Sequence, residues 1–224
     1  MKLYVVGTPI GNLEDVALRA LRTLKEVDVI LCEDTRVTKR LLEKYAITDK
    51  QLTTYNEQRS GITAGKVVGW LEGGKNVALV TDAGTPGISD PGTMLVQKVR
   101  AALPEVKIES VPGASALTAA LSIAGVPIHD FVFLGFLPHK KGRETLFKEI
   151  ADSERAMIFY ESPHRILKAL ESLEKFAPNK KVTIARELTK IHEEIVSGTA
   201  ADLLEFFKTN EEKVRGEFVV VVTP

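Results

Sequence analysis

The chain has 224 residues, 44% of them hydrophobic and 27% charged, which is the composition of a soluble protein with a packed core. Lys plus Arg and Asp plus Glu each number 30, so the strong positive charge of many nucleic-acid-binding proteins is absent and any RNA contact must come from a local patch. The single cysteine, Cys32, excludes an intramolecular disulfide and a cysteine-based zinc site, and its apolar neighbours favour a structural role. No apolar run approaches the roughly 18 residues of a membrane span, and the short first strand is unlike a signal peptide, so a cytoplasmic location is predicted.

Strand-like and helix-like patterns alternate through the first half of the chain. Strands are predicted at residues 3–6, 27–32, 51–55, 76–81 and 107–111, and helices at 15–26, 38–45, 62–72, 91–103 and 114–124. This alternation is typical of a mainly parallel sheet with helices on both faces.

A second alternating block follows, with the boundary expected between residues 126 and 130. Strands are predicted at 131–137, 156–160, 181–185 and 217–222, and helices at 144–151, 166–176 and 201–208. The sequence therefore predicts two α/β domains with mainly parallel or mixed sheets, residues 1–125 and 126–224.

Three segments rich in glycine and proline follow predicted strands, namely residues 7–12, 82–92 and 112–116. In an open parallel sheet, ligands bind beyond the carboxyl ends of the strands, where these segments lie. Segment 82–92 holds three glycines and two prolines, which shape an unusual backbone path and leave N–H and C=O groups accessible. A ligand-binding loop is favoured over a long, well-packed turn.

The first loop also has features of a dinucleotide site, because Glu33 follows it at about the distance of a ribose-binding acid. Residues 7–11, however, lack the G-x-G-x-x-G spacing, and Pro9 removes an N–H that a pyrophosphate would need. A nicotinamide enzyme is therefore a weak alternative.

Charged residues follow three predicted strands, in segments 33–36, 160–165 and 185–190. Each segment has a second interpretation, because Asp34 or Ser162 could cap a helix. Three such segments on one edge favour a site. The basic segment 139–143 suits either phosphate contact or a solvated loop.

Seven segments, taken in chain order, resemble one family. They are residues 7–13, 33–36, 82–92, 112–116, 133–138, 160–165 and 186–190. Together they resemble the ribosomal RNA small subunit methyltransferase I family, a branch of the tetrapyrrole methylase superfamily, and the resemblance runs from Leu3 to Val222. Gly84-Thr85-Pro86 stands where cobalamin and sirohaem methylases carry Gly-Asp-Pro, which favours the RNA branch.

The resemblance implies two α/β domains of the tetrapyrrole methylase type, with S-adenosylmethionine held in the cleft between them, and a homodimer. It implies methyl transfer to the ribose 2′-oxygen of a cytidine in the decoding region of small-subunit (16S) ribosomal RNA, without a metal and without a membrane. The cofactor-binding positions that it implies are Ile10, Gly84, Thr85, Ile88, Ser115, Ala116, Tyr160 or Glu161, and Ala185.

A ribose hydroxyl is a poor nucleophile, so a positioned base should help to remove its proton. The candidates for this catalytic role are Glu33, Asp34 and Glu187, and Arg36, Arg165 and Arg186 are the candidates for substrate binding through phosphates. Two rival classes stay open: a methyltransferase acting on a tetrapyrrole or other small molecule, and a non-catalytic RNA-binding module.

Overall fold

A computed structural model describes residues 1–56, 60–127 and 129–224. Contacts between Cα atoms divide the chain into two compact units, Met1–Ser115 and Ala116–Pro224. Each unit contains one five-stranded sheet. Within the described residues, no helix is both long enough and apolar enough to cross a membrane.

The first unit is built on a parallel sheet. Its strands are β1 (Lys2–Val6), β2 (Val29–Cys32), β3 (Gln51–Thr54), β4 (Val77–Leu79) and β5 (Lys107–Val111), in the spatial order β3-β2-β4-β1-β5. All four neighbouring pairs run parallel, so the carboxyl ends of all five strands share one edge. The predicted parallel sheet is confirmed.

Helices cover both faces of this sheet. They are α1 (Leu18–Glu26), α2 (Thr35–Lys44), α3 (Ser60–Glu72) and α4 (Thr93–Ala102). Successive residues of β2 point to opposite faces, so Ile30 packs with Leu24 of α1 and Leu41 of α2, whereas Leu31 packs with Leu71 of α3 and Leu95 of α4. The helices α1 and α2 therefore share one face of the sheet, and α3 and α4 share the other.

Two helices begin at residues other than those predicted. Residues Leu13–Asp15 form a separate 3-10 turn capped by Asn12, and Ala17 is extended, so α1 starts at Leu18 and not at residue 15. Conversely, α2 starts at Thr35, three residues before the predicted start, because the side chain of Asp34 caps it.

The second unit has a mixed sheet. Its strands are β6 (Phe131–Phe136), β7 (Ala156–Glu161), β8 (Lys181–Arg186), β9 (Glu194–Gly198) and β10 (Phe218–Thr223), in the order β6-β7-β10-β8-β9. The pair β6 and β7 is parallel, whereas β10 runs antiparallel to both of its neighbours and β9 runs antiparallel to β8. Strand β9 was not predicted. It is an edge strand whose residues are alternately half-buried and exposed.

The helices of this unit are α5 (Ala116–Ile123), α6 (Arg143–Asp152), α7 (Ile166–Phe176) and α8 (Ala200–Thr209). Helix α5 contacts β10, so the division falls after Ser115 and not after residue 125, where the sequence places it. The core joins Phe159 and Val220 of the sheet to Leu170 of α7 and Phe207 of α8.

Candidate functional site

The loops after β1 and β4 are joined by backbone hydrogen bonds. The amide of Thr8 donates to the carbonyl of Gly84 at 2.8 Å, and the amide of Gly84 donates back to Thr8 at 3.2 Å. The Thr8 hydroxyl donates to the carbonyl of Thr81 at 3.0 Å and is itself buried. Because β1 and β4 are neighbours, these bonds hold two of the glycine-containing loops together beyond the carboxyl ends of their strands.

The loops after β1 and β5 approach each other through two glycines. A Cβ atom built on Gly113 would lie 2.7 Å from the carbonyl oxygen of Gly7, and one built on Gly7 would lie 2.7 Å from the nitrogen of Gly113. The amide of Gly7 also donates to the carbonyl of Val111 at 2.9 Å. No other residue type fits at either glycine without moving backbone, so glycine is required by packing here.

Five of the predicted cofactor residues lie in these three loops: Ile10, Gly84, Thr85, Ile88 and Ser115. Gly84 has a φ of +85°, and a Cβ built on it would contact the Ile10 side chain at 3.5 Å and the Ala114 carbonyl oxygen at 3.7 Å. Ile88 is 47% exposed, whereas Ile10 is buried. The structure thus gathers Ile10, Gly84 and the chain just before Ser115. Ala116 follows as the first residue of α5.

Three carboxylates follow the neighbouring strands β2 and β4. The amide of Asp34 donates to the Asp82 carboxylate at 3.0 Å, and the Thr81 hydroxyl donates to the Glu33 carboxylate. These bonds bring the predicted catalytic residues Glu33 and Asp34 beside Asp82, at the same edge of the sheet as the glycine-containing loops.

Asp34 is fully engaged as a helix cap. Its Oδ1 accepts the amide of Arg36 at 2.8 Å, and both of its oxygens bind the Arg36 guanidinium. The side-chain and backbone hydrogen bonds from Arg36 lower the pKa of Asp34 to about 2. Such a carboxylate has little affinity for a proton. The capping interpretation of Asp34 therefore describes its observed role, and the Arg36 side chain stays 87% exposed beyond it.

Asp82 is a titratable group that the sequence reasoning placed in the glycine loop but did not consider as a base. Burial is the main cause that raises its pKa, and the nearby charge of Asp34 adds to the rise, while the hydrogen bond from the Asp34 amide opposes it. Its position directly after a buried strand, at the start of the glycine loop, was the available signal.

In the second unit, the carboxyl end of β7 carries a buried ion cluster. Glu161 has no exposed side-chain surface and binds Arg165 at 2.7 Å and Arg143 at 3.5 Å. Arg165 also donates to the carbonyl of Leu137 at 2.9 Å, and Arg143 donates to that of Pro138 at 3.2 Å. The cluster ties the segment after β6 to the end of β7. Arg165, a predicted phosphate ligand, is thus engaged within the unit.

Tyr160 and Ala185 take different positions near this edge. The Tyr160 hydroxyl accepts the amide of Leu117 at 3.1 Å, and its ring packs edge-on against Phe133 and Phe136. Tyr160 thereby holds the first turn of α5. Ala185 is buried within β8.

The end of β8 lies at the same edge as the end of β7, because Phe218 of β10 pairs with both Glu161 and Arg186. Arg186 is 7% exposed, and its guanidinium donates to Glu194 at 3.2 Å and to the carbonyl of Lys213 at 3.2 Å. This predicted phosphate ligand is also engaged internally.

Glu187 is held in an unusual backbone conformation, with a φ of +50°. Its carboxylate accepts Lys190 Nζ at 2.7 Å and the amide of Glu217 at 3.1 Å, and it fills the space where a Cβ on Gly216 would be. Burial raises its pKa, but the bonds from Lys190 and Glu217 outweigh burial and lower the pKa overall. The carboxylate joins the loop after β8 to the start of β10.

Cys32 is free and buried within β2, and burial is the main cause that raises the pKa of its thiol, as suits a structural residue. Among the described residues, no group of His, Cys, Asp and Glu is arranged to hold a metal ion.

Comparisons with known proteins identify the family. The family model described as "Tetrapyrrole (Corrin/Porphyrin) Methylases" matches residues 2–204. The ribosomal RNA small subunit methyltransferase I of a Hydrogenobaculum species is 46% identical, over 100% of this chain and 96% of its own. That of Thermotoga maritima is also 46% identical, over 99% of this chain and 98% of its own.

A solved structure shares the fold at lower identity. The uroporphyrin-III C-methyltransferase of Thermus thermophilus, complexed with S-adenosylhomocysteine, superimposes with a TM-score of 0.68 at 19% identity, covering 100% of this chain and 97% of that one. With the near full-length sequence matches, this likeness of fold leads to one conclusion: the chain belongs to the tetrapyrrole (corrin/porphyrin) methylase family and, within it, to the ribosomal RNA small subunit methyltransferase I group.

Proposed function

We propose that this chain transfers a methyl group from S-adenosylmethionine to the ribose 2′-oxygen of a cytidine in the decoding region of small-subunit ribosomal RNA. The observation that carries the proposal is the 46% identity, along the whole chain, to proteins with the corresponding name. The sequence Gly84-Thr85-Pro86 supports the RNA branch over the tetrapyrrole branch.

The loops of the first unit fit such a donor. Close contact between Gly7 and Gly113, and between Thr8 and Gly84, produces a rigid set of backbone groups with few charged side chains. Backbone N–H and C=O groups and the apolar side chain of Ile10 suit a nucleoside and a thioether better than a polyphosphate. When bound, the donor supplies a methyl group on a sulfonium, which an oxygen can take by in-line displacement.

The residues that would hold the donor in this unit are Ile10, Gly84, Thr85, Ile88 and Ser115. Ala116, Tyr160 and Ala185 of the second unit stay predictions as donor contacts. A homodimer also stays a prediction, as does a cytoplasmic location.

Glu33 and Asp82 are the better candidates for the base that takes the ribose proton. Asp34 is committed to Arg36 and has a pKa of about 2, and the pKa of Glu187 is lowered by Lys190 and Glu217. Glu33 accepts a hydroxyl hydrogen bond, which it can exchange for another, and burial raises the proton affinity of Asp82.

The test is incubation with labelled methyl donor and small ribosomal subunits that lack the modification, followed by mapping of the labelled nucleotide. Glu33→Gln or Asp82→Asn should lower kcat by about 10²- to 10⁴-fold with donor affinity retained. Glu187→Gln is the comparison, with a smaller expected loss of kcat. Near-normal turnover of both Glu33→Gln and Asp82→Asn would remove these two carboxylates as the base.

A small-molecule methyltransferase is the second candidate, because the family model and the solved relative both refer to tetrapyrrole substrates. Loss of methyl incorporation after RNA digestion would exclude it. A non-catalytic RNA-binding module would show no heat of binding for S-adenosylmethionine in calorimetry.

A further inference from the structure

Helices α1 and α2 carry an excess of positive charge on one face of the first unit. Their cationic residues are Arg19, Arg22 and Lys25 on α1 and Arg36, Lys39, Arg40 and Lys44 on α2. The only acidic residues within the two helices are Glu26 and Glu43. All seven cationic residues are exposed, and both helices pack on the same face of the sheet. We call this surface the α1–α2 face.

Most of these cations have no partner within the described part of the chain. Arg36 binds Asp34, and Arg19 donates to the carbonyl of Ser110 at 3.1 Å. The other five form no hydrogen bond or ion pair with any residue that the structure describes. Their charges are therefore available to a partner outside the chain.

Helix stability does not account for this arrangement. Arg36, Arg40 and Lys44 follow one another at intervals of four residues, so like charges are neighbours along one stripe of α2. Neither helix has an acidic residue in its first turn, where the macrodipole favours one. Like-charge neighbours weaken a helix, and a polyanionic partner would remove that cost.

The stripe starts beside the proposed site. Asp34, which caps α2, donates its amide to Asp82 at the carboxyl edge of the sheet. From Arg36 to Lys44 the stripe then runs along the helix for about 12 Å, at roughly 1.5 Å per residue. A nucleic acid strand lying along it would pass the edge where the base candidates Glu33 and Asp82 lie.

We propose that the α1–α2 face binds the phosphate backbone of the RNA substrate. This inference rests on the proposed function for the identity of the partner, and it explains how a chain with zero formal net charge can bind RNA. Phosphate contacts of this kind position the substrate and carry no base specificity.

The test uses the full chain and protein-free small-subunit ribosomal RNA. One variant combines Lys39→Gln, Arg40→Gln and Lys44→Gln on α2. Its matched control combines Lys168→Gln, Lys175→Gln and Lys208→Gln, which removes the same charge from exposed positions of α7 and α8. RNA affinity is measured at several salt concentrations, with S-adenosylmethionine affinity and far-ultraviolet circular dichroism as checks on folding.

The α2 variant should bind RNA on the order of tenfold more weakly than the control at low salt. The slope of log affinity against log salt should become shallower by about 0.7 for each phosphate that the variant no longer neutralises. Donor affinity should be unchanged. At saturating RNA, kcat should be retained and KM raised.

Equal affinities and equal salt slopes for the two variants would overturn the inference. Unchanged RNA binding combined with weakened binding to anionic vesicles would also overturn it, because the face would then serve a membrane surface. The binding comparison needs no methyl transfer, so a wild-type protein that binds RNA but fails to methylate it would contradict the proposed function alone.

Discussion

The two units manage their charged residues in opposite ways. In the second unit, eight ion pairs involve Arg143, Arg165, Arg186, Lys190, Lys213, Lys148 and Arg155. In the first unit, ion pairs between described residues involve only Lys2, Lys107 and Arg36, and five cations of the α1–α2 face are unpaired. A formal net charge of zero conceals this difference. The location of the cations, and whether a carboxylate already binds them, decides which unit can attract a polyanion.

The edges of the two sheets also differ. In the first unit, parallel neighbours bring the loops after β4, β1 and β5 together, and these loops contact through backbone atoms and glycines. In the second unit, the ends of β7 and β8 are separated by β10, and charged side chains fill the space as ion pairs. A backbone-lined edge leaves polar groups for a ligand, whereas an edge of buried ion pairs stabilises its own loops. Three substitutions test this contrast.

The largest effect is expected from Glu161→Gln in the second unit. The substitution removes the one carboxylate that neutralises Arg143 and Arg165, so two largely buried cations face each other uncompensated. Loss of one partner of a buried ion pair destabilises by about 3–5 kcal/mol, measured as the free energy of unfolding in urea. The control is Asp130→Asn, which removes an exposed pair with Arg155 and should cost about 1 kcal/mol or less. Equal losses would show that the buried cluster has no special structural weight.

A smaller effect on stability, but a larger one on ligand binding, is expected from Gly113→Ala in the first unit. The new methyl group would lie 2.7 Å from the Gly7 carbonyl oxygen, so the two loops must separate. Overpacking of this kind costs about 1–3 kcal/mol, and S-adenosylmethionine affinity in calorimetry should fall. Gly69→Ala is the control, because a Cβ there meets nothing within 4 Å and lies inside α3, where alanine stabilises by roughly 0.5–1 kcal/mol. Unchanged donor affinity in Gly113→Ala would separate this edge from the donor site.

The smallest effect is expected from Glu187→Gln, and it should depend on pH. The folded protein lowers the pKa of Glu187, so the carboxylate stabilises the fold above the ordinary glutamate pKa, and this contribution is lost as the pH falls through the lowered value. The stability gap between wild type and variant should therefore be widest at neutral pH and should narrow in acid. Urea titrations at a series of pH values measure it. A gap that stays constant with pH would mean that Glu187 acts through packing against Gly216 and not through its charge.

The sequence pattern predicted the fold well because each core strand and helix has its own hydrophobic period. The helix over Ile166–Phe176 and the strand over Lys181–Arg186 are examples that needed no tertiary information beyond burial. Strand β9 escaped prediction because an edge strand packs on one side only, so Glu194 and Ser197 interrupt any apolar run. The domain boundary was misplaced because the pattern of α5 does not reveal which sheet it packs against.

The sequence by itself determined the α/β class, the family and the glycine-containing loops, since hydrophobic periodicity and glycine are local properties of the chain. Only the tertiary structure decided the roles of the charged residues. Asp34 became a cap, Glu161 a buried neutraliser and Asp82 a carboxyl with raised pKa, because each role depends on burial and on partners that the fold brings close. Charge is written in the sequence, but its pairing is a property of the fold.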